Sequence, residues 1–244
     1  MPAPRYLFRI KLVQKLLRTI PKGRFLDIGI GGGDFLLRLS KNGYIGKGID
    51  ISRQAINESK ERLKNTSGIT VEKKNFMDIK NEKFEIIFMF EVLEHIKEDA
   101  STLRKINQIL PMHGHFFVSV PCHSRKWGAT DDWAGHIRRY EKIELKKKLE
   151  EAGLKPTVFW CYGFPFINMI KPARDYYAGK RLKETDLSMQ EKTEKSGIDR
   201  SHVKKYKFFF NYFFLNPFYY LQFPFLNKDM GEGYLVMAEK VKEI

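Results

Sequence analysis

The chain has 244 residues, enough to bury a full core as one large domain or as one domain with an insertion. It carries 44 Lys and Arg against 29 Asp and Glu, a formal net charge of +15, and two cysteines, Cys122 and Cys161. Two cysteines exclude a disulfide framework and fit a reducing, cytoplasmic setting, and the charge-rich N-terminus excludes an apolar signal segment.

Residues 5–20 place Leu7, Ile10, Val13, Leu17 and Ile20 at helical spacing with basic residues between them. This predicts an amphipathic helix, residues 1–22, that covers a site, packs on the core or lies on a membrane surface. The run Phe25-Leu26-Asp27-Ile28-Gly29-Ile30-Gly31-Gly32-Gly33-Asp34 then reads as a short strand, a glycine turn and the start of a helix over 34–41. A second strand near 45–50 ends on Asp50, an acid placed to accept hydrogen bonds from ribose hydroxyls. Further strands are predicted near 69–73, 85–90, 115–120 and 156–162, alternating with helices near 53–64, 99–109 and 141–152. That alternation predicts an α/β fold, a doubly wound and mostly parallel sheet with helices on both faces, with ligands bound beyond the carboxyl ends of the strands.

The glycine turn departs from a dinucleotide site. Its third fingerprint position is Asp34, and an aspartate there repels a pyrophosphate, whereas an acid suits the ammonium of an amino-acid cofactor. Asp27 with Gly29, Gly31 and Gly33 resembles the acid and glycine turn of the class I S-adenosylmethionine-dependent methyltransferases. Phe84–His95, ending in Val-Leu-Glu-His, looks like that family's fourth strand and its signature. Leu110–Pro121 looks like its fifth strand. Gly135-His136-Ile137-Arg138-Arg139-Tyr140 resembles a segment of a subgroup that includes ubiquinone-biosynthesis O-methyltransferase relatives.

The resemblance implies a seven-stranded Rossmann-like methyltransferase fold with the core at 23–162 and the final strand within 232–244. Residues 163–231 become an inserted lid or substrate subdomain between the last two strands. It also implies S-adenosyl-L-methionine as cofactor, with Asp27, Gly29, Gly31 and Gly33 around its methionine part, Asp50 on its ribose, and Ile51, Asn75 and Phe76 near the adenine. Asp78 is an alternative to Asn75. Phe90 and Glu91 border the methyl-transfer site.

Transfer to a hydroxyl calls for a base, and His136 is the candidate catalytic residue, with a loop-pinning role as its alternative. His95 reads as a helix-start residue. Arg138, Arg139 and Tyr140 are candidate substrate residues, able to grip an anionic headgroup or to pair within the surface. Asp131 and Asp132 precede them, but no convincing ligand set appears, and no metal is expected.

Charge and aromatic content bear on the acceptor. Residues 1–24 contribute +7 and residues 164–231 contribute +5, from twelve basic and seven acidic residues. From Phe208 to Leu226, eleven of nineteen residues are Phe or Tyr, broken by two prolines, two asparagines and a glutamine that argue against a membrane span. They read as lid helices on the core, a greasy pocket or an interfacial anchor. The expected acceptor is therefore small, apolar or lipid-like and methylated at oxygen, with a membrane-held quinone precursor or glycolipid as alternative. Peripheral contact with an anionic membrane fits the basic segments. A nucleic-acid acceptor is disfavoured because Phe90-Glu91-Val92-Leu93 replaces the Asn/Asp-Pro-Pro-aromatic sequence of base-methylating relatives. A catalytically silent cofactor binder is the reading from another class.

Overall fold

Side chains of the central strands alternate between two apolar layers, the period-2 pattern of a sheet covered on both faces. The computed structural model describes residues 4–184 and 212–244. In chain order, α1 (Pro4–Leu16) precedes β1 (Phe25–Ile28), α2 (Asp34–Lys41), β2 (Gly46–Asp50), α3 (Arg53–Leu63) and β3 (Ile69–Lys73). Then come β4 (Ile86–Phe90), α4 (Asp99–Ile109), β5 (His115–Pro121), α5 (Ala129–Ala134), α6 (Lys142–Glu151) and β6 (Leu154–Tyr162). The described chain closes with α7 (Phe166–Glu184), α8 (Tyr212–Leu221) and β7 (Gly233–Lys240).

The seven strands form one sheet in the order β3-β2-β1-β4-β5-β7-β6. All neighbours are parallel except β7, which runs antiparallel to both β5 and β6. On one face Phe25, Phe88, Phe117 and Leu235 meet Phe35 and Leu36 of α2, Ile56 of α3 and the inner side of α1. On the other, Leu26, Ile87, Met89, Val118 and Val236 meet Leu103 and Ile106 of α4 and Leu145 and Leu149 of α6. Each such buried side chain stabilises the fold by roughly 1.5–3 kcal/mol.

The first helix is more deeply buried than its stripe of apolar residues implied. Leu7, Ile10 and Val13 face the core, but Phe8 and Leu12 on the flank are buried as well. The insertion covers that flank: the Phe8 ring lies 5.9 Å from Phe166 of α7 and 5.9 Å from Tyr219 of α8. Lys11 donates to Asn216 and sits 4.5 Å over the Tyr219 ring. Leu215, Tyr219 and Leu226 are buried, whereas Tyr220 and Leu221 on the opposite side are exposed. The aromatic run thus packs one face on the core. The polar stretch 183–207 falls almost wholly outside the described residues, as do Phe208, Phe209 and Phe210.

Candidate active site

Register sets the edge on which the site is built. Ile28 pairs with Ile49 and with Met89, so Gly29, Asp50 and Phe90 follow side by side at the carboxyl ends of β1, β2 and β4. This edge spans the point where strand order reverses, between β1 and β4, where open α/β sheets hold ligands. Gly29 and Gly33 have φ of 78° and 74°, a left-handed backbone that favours glycine. A Cβ on Gly33 would lie 3.1 Å from the Ser59 Cα, so this glycine also lets α3 pack against the turn.

Two carboxylates flank that turn. Asp50 accepts from the Gly31 N–H at 3.0 Å through Oδ2 and from the Ser52 N–H at 2.9 Å through Oδ1. It is half-buried at the strand end, where a carboxylate faces the sugar of a nucleoside ligand. Asp27 is 3% exposed, and its carboxyl makes no hydrogen bond or ion pair with any described residue. Burial, with a smaller push from Asp50, raises its pKa from 3.8 to about 8 against the pull of Arg9. A buried acid without a partner beneath an open glycine turn fits a cationic amino-acid ligand.

The adenine side is less fully built. Ile51 is exposed beside Asp50. The Asn75 side chain accepts from the Met77 N–H and caps a single turn, Phe76 is buried within that turn, and Asp78 ends it exposed. Phe90 is buried against Phe35, ring centroids 5.4 Å apart, with the Arg9 guanidinium 5.1 Å over its ring.

Glu91 carries the tie between α1 and the sheet edge. Its oxygens lie 2.8 Å from Arg5 Nη2 and 3.0 Å from Arg9 Nη1, and the Ser119 hydroxyl donates to it at 2.9 Å. Arg5 also donates to the Tyr162 hydroxyl at 3.3 Å. The two guanidiniums overcome burial and hold the Glu91 carboxyl below the usual range. Glu91 adopts φ 56°, a left-handed conformation costly for a residue with a Cβ. Hydropathy reading could not assign this role to α1, because Arg5 and Arg9 read there as solvated charges.

The loop after β5 comes back over Glu94 and His95. His136 Nδ1 lies 2.8 Å from Asp131 Oδ1, which also accepts from Arg139 Nε at 2.9 Å. This clamp pushes the Asp131 pKa well down. His136 Nε2 faces Glu94 Oε1 at 3.7 Å, and the His95 and His136 rings meet edge to face at 5.0 Å. His95 Nδ1 lies 3.0 Å from the Gly135 carbonyl. Glu94 is fully buried, neither of its oxygens has a hydrogen-bond partner among the described residues, and burial raises its pKa. Glu94, His95 and His136 bring one ligand atom each to within 4.8 Å of one another. With each histidine's second nitrogen fixed by an oxygen, this is a donor set able to hold a divalent cation. The sequence does not advertise it, because α4, β5 and α5 separate His136 from Glu94-His95.

The remaining predicted site residues sit in the same loop but point inward. Arg138 Nη1 donates to Asp99 at 2.8 Å. Arg139 is buried between Asp131, the Cys122 carbonyl and Glu232. Tyr140 is fully buried and its hydroxyl donates to Asp99 at 3.0 Å. All three pin the loop through these bonds, with Arg138 remaining partly exposed. Asp132 accepts from the Trp127 indole at 3.0 Å.

Comparison with known proteins agrees with this geometry. A family profile described as a methyltransferase domain matches residues 4–157. The ubiquinone biosynthesis O-methyltransferase of Histophilus somni is 27% identical over 120 residues, 46% of this chain and 50% of that protein. The chain thus spans about half the length of that relative. Among solved structures, a putative sarcosine dimethylglycine methyltransferase from Galdieria sulphuraria superposes with a TM-score of 0.64 at 13% identity, covering 98% of this chain and 87% of that one. The N-methyltransferase NodS of Bradyrhizobium japonicum, in complex with S-adenosyl-l-homocysteine, gives 0.52 at 22% identity over 64% of this chain and 80% of that one. At these identities the superpositions establish the shared fold.

Proposed function

Because this chain belongs to the methyltransferase-domain family, we propose that it transfers the methyl group of S-adenosylmethionine to an oxygen of a small, apolar or lipid-like acceptor. The observation that carries the reading is Asp27, a buried carboxylate without a partner, set beneath the glycine turn and beside Asp50. The bound cofactor supplies a sulfonium methyl that reacts by in-line displacement. Asp27 holds the ammonium, Asp50 the ribose hydroxyls, and the backbone of Gly29–Gly33 lies against the methionine part. Phe90 and Phe35 exclude water from the inner wall.

His136 supports transfer to oxygen. Asp131 orients the ring through Nδ1 and leaves Nε2 to take the acceptor's proton. If a divalent cation binds, His136 Nε2 would be its ligand beside Glu94 and His95 instead of the base, and the cation would supply the lowered pKa of the acceptor hydroxyl. The names of the curated relatives favour oxygen over nitrogen.

The test is calorimetry with S-adenosylhomocysteine, followed by a panel of phenolic, aliphatic and lipid hydroxyl acceptors scored for methylated product, with and without Mg2+ or Zn2+. Saturable cofactor binding and product from a hydroxyl acceptor are expected. Absence of cofactor binding overturns the reading, and product only from amines overturns the choice of oxygen.

A membrane-held acceptor is the second reading, favoured by exposed Met169, Tyr176 and Tyr177 on α7 and Tyr220 and Leu221 on α8. Among the described residues no helix is long and apolar enough to cross a membrane. Flotation with anionic vesicles at low salt separates the two readings: a protein that stays at the bottom of the gradient removes the second.

A further inference from the structure

Cys122 and Cys161 are far apart in sequence and without metal-ligand spacing, yet the fold brings them together. Cys122 follows the last residue of β5, and Cys161 lies one residue before the end of β6. Their sulfurs are 3.7 Å apart, and Cys161 Sγ lies 4.0 Å from His123 Nε2. One ligand atom from each of the three residues falls within 4.8 Å of the others, and all three residues are buried. Two thiolates on one tetrahedral ion, with metal–sulfur bonds of about 2.3 Å, sit about 3.8 Å apart. The observed sulfur separation matches that edge.

The surroundings are those of held ligands. The Gly231 N–H donates to Cys161 Sγ at 3.0 Å, a bond suited to a thiolate. His123 Nδ1 faces Glu141 Oε2 at 3.5 Å, and Glu141 is itself fixed by the Ser124 N–H and hydroxyl, both at 2.8 Å. That leaves Nε2 for a ligand and gives the ring its carboxylate support. Nε2 also lies 3.4 Å from Asp229 Oδ1, and the Tyr234 hydroxyl donates to the same oxygen at 2.7 Å. His123 is held at φ 61°, with its N–H donating to the Tyr140 carbonyl at 2.9 Å. Asp229 is partly exposed, so the outer corner of the cluster communicates with solvent.

The geometry points to a second, structural site in which Cys122, His123 and Cys161 hold one Zn2+-like ion at the base of the insertion. Thiolate donors exclude Mg2+ and Ca2+ and select a borderline-soft ion. Binding exchanges the S–H bond of a protonated thiol for a metal–sulfur bond and passes the proton to solvent, and His123 ligates through Nε2. The ion ties the end of β5 to the end of β6, where the insertion leaves the sheet. It is distinct from the Glu94, His95 and His136 set, which has no sulfur donor.

The test is titration of the full chain with Co2+ under anaerobic, reducing conditions. A sulfur-to-cobalt charge-transfer band saturating at one equivalent is expected, with proton release on Co2+ binding and loss of the band without further proton release when Zn2+ displaces the cobalt. Cys161→Ser should diminish the band and weaken Zn2+ binding by about 100-fold. Glu94→Gln should leave the band intact. Should the cysteine variants fail to fold, the wild-type titration and metal analysis of the purified protein decide. The proposal is overturned by a folded, reduced protein that shows no such band, by a band that survives loss of both cysteines, or by a Cys122–Cys161 disulfide with no bound metal.

Discussion

Arg5 Nη2 lies 2.8 Å from Glu91 Oε2, so the first helix of the chain is fastened to the end of β4, at the lip of the cofactor site. Arg9 makes the second contact at 3.0 Å, and both ion pairs are largely buried. Breaking a buried pair on one side strands the other charge.

Arg9→Ala should therefore destabilise the protein by about 3 kcal/mol, read as a lower urea midpoint with unchanged slope. The pH dependence has a definite sign. The Glu91 carboxyl is depressed by Arg5 and Arg9, so its contribution is complete above the ordinary 4.5 and disappears as pH falls toward 2. Glu91→Gln should flatten that acid limb, and an unchanged limb would remove the ion pairs from the stability account.

Asp27→Asn should separate stability from function. The folded state favours protonated Asp27, so its contribution is complete below the ordinary 3.8 and disappears as pH rises through about 8. At pH 8 the variant should be more stable than the wild type by thermal melting. Its affinity for S-adenosylmethionine should fall by about 10- to 100-fold, the loss of a charge-assisted hydrogen bond. Calorimetry in two buffers of different ionisation enthalpy should show proton release on cofactor binding in the wild type and not in the variant.

Asp50→Ala should weaken the cofactor by well over tenfold and loosen the glycine turn, because Oδ2 is what the Gly31 N–H donates to. Equal affinity in the variant would place the ribose elsewhere.

Gly33→Ala should lower stability by about 1–2 kcal/mol, the cost of a left-handed non-glycine residue, and by more if Ser59 cannot yield. A melting temperature equal to the wild type would show that the turn re-forms around a different φ.

His136→Gln should reduce turnover by about 10²- to 10⁴-fold on the hydroxyl acceptor that the panel yields, with cofactor affinity unchanged. Asp131→Asn should shift the pH–rate profile, because Asp131 fixes the His136 tautomer. A loss of cofactor affinity instead would make His136 a structural pin.

Much of this architecture was legible in the chain. The short apolar run before Gly29 and the acid at Asp50 placed β1, β2 and the turn, since strand period and glycine conformation are local properties. Tertiary partners were not legible. Arg138, Arg139 and Tyr140 looked suited to an acceptor, yet Asp99 and Asp131 claim Arg138, Arg139 and the Tyr140 hydroxyl, and both acids lie in other elements. The gathering of Glu94 with His136 likewise depends on how the loop after β5 folds back, for which no local pattern exists. α1 ended at Leu16 rather than near residue 20, where bends follow the last helical turn.

Tyr162 and Gly233 are cross-strand partners, and the Tyr162 carbonyl accepts from the Glu232 N–H at 2.9 Å. To the sheet, everything between them is the loop of one hairpin, and lengthening such a loop raises its closure cost only logarithmically. Its two ends are tied in, through the Leu226 carbonyl that accepts from the Cys161 N–H at 2.8 Å and through Phe166 and Tyr219 packed on Phe8. The length of that loop can therefore drift while the order of the seven strands is kept.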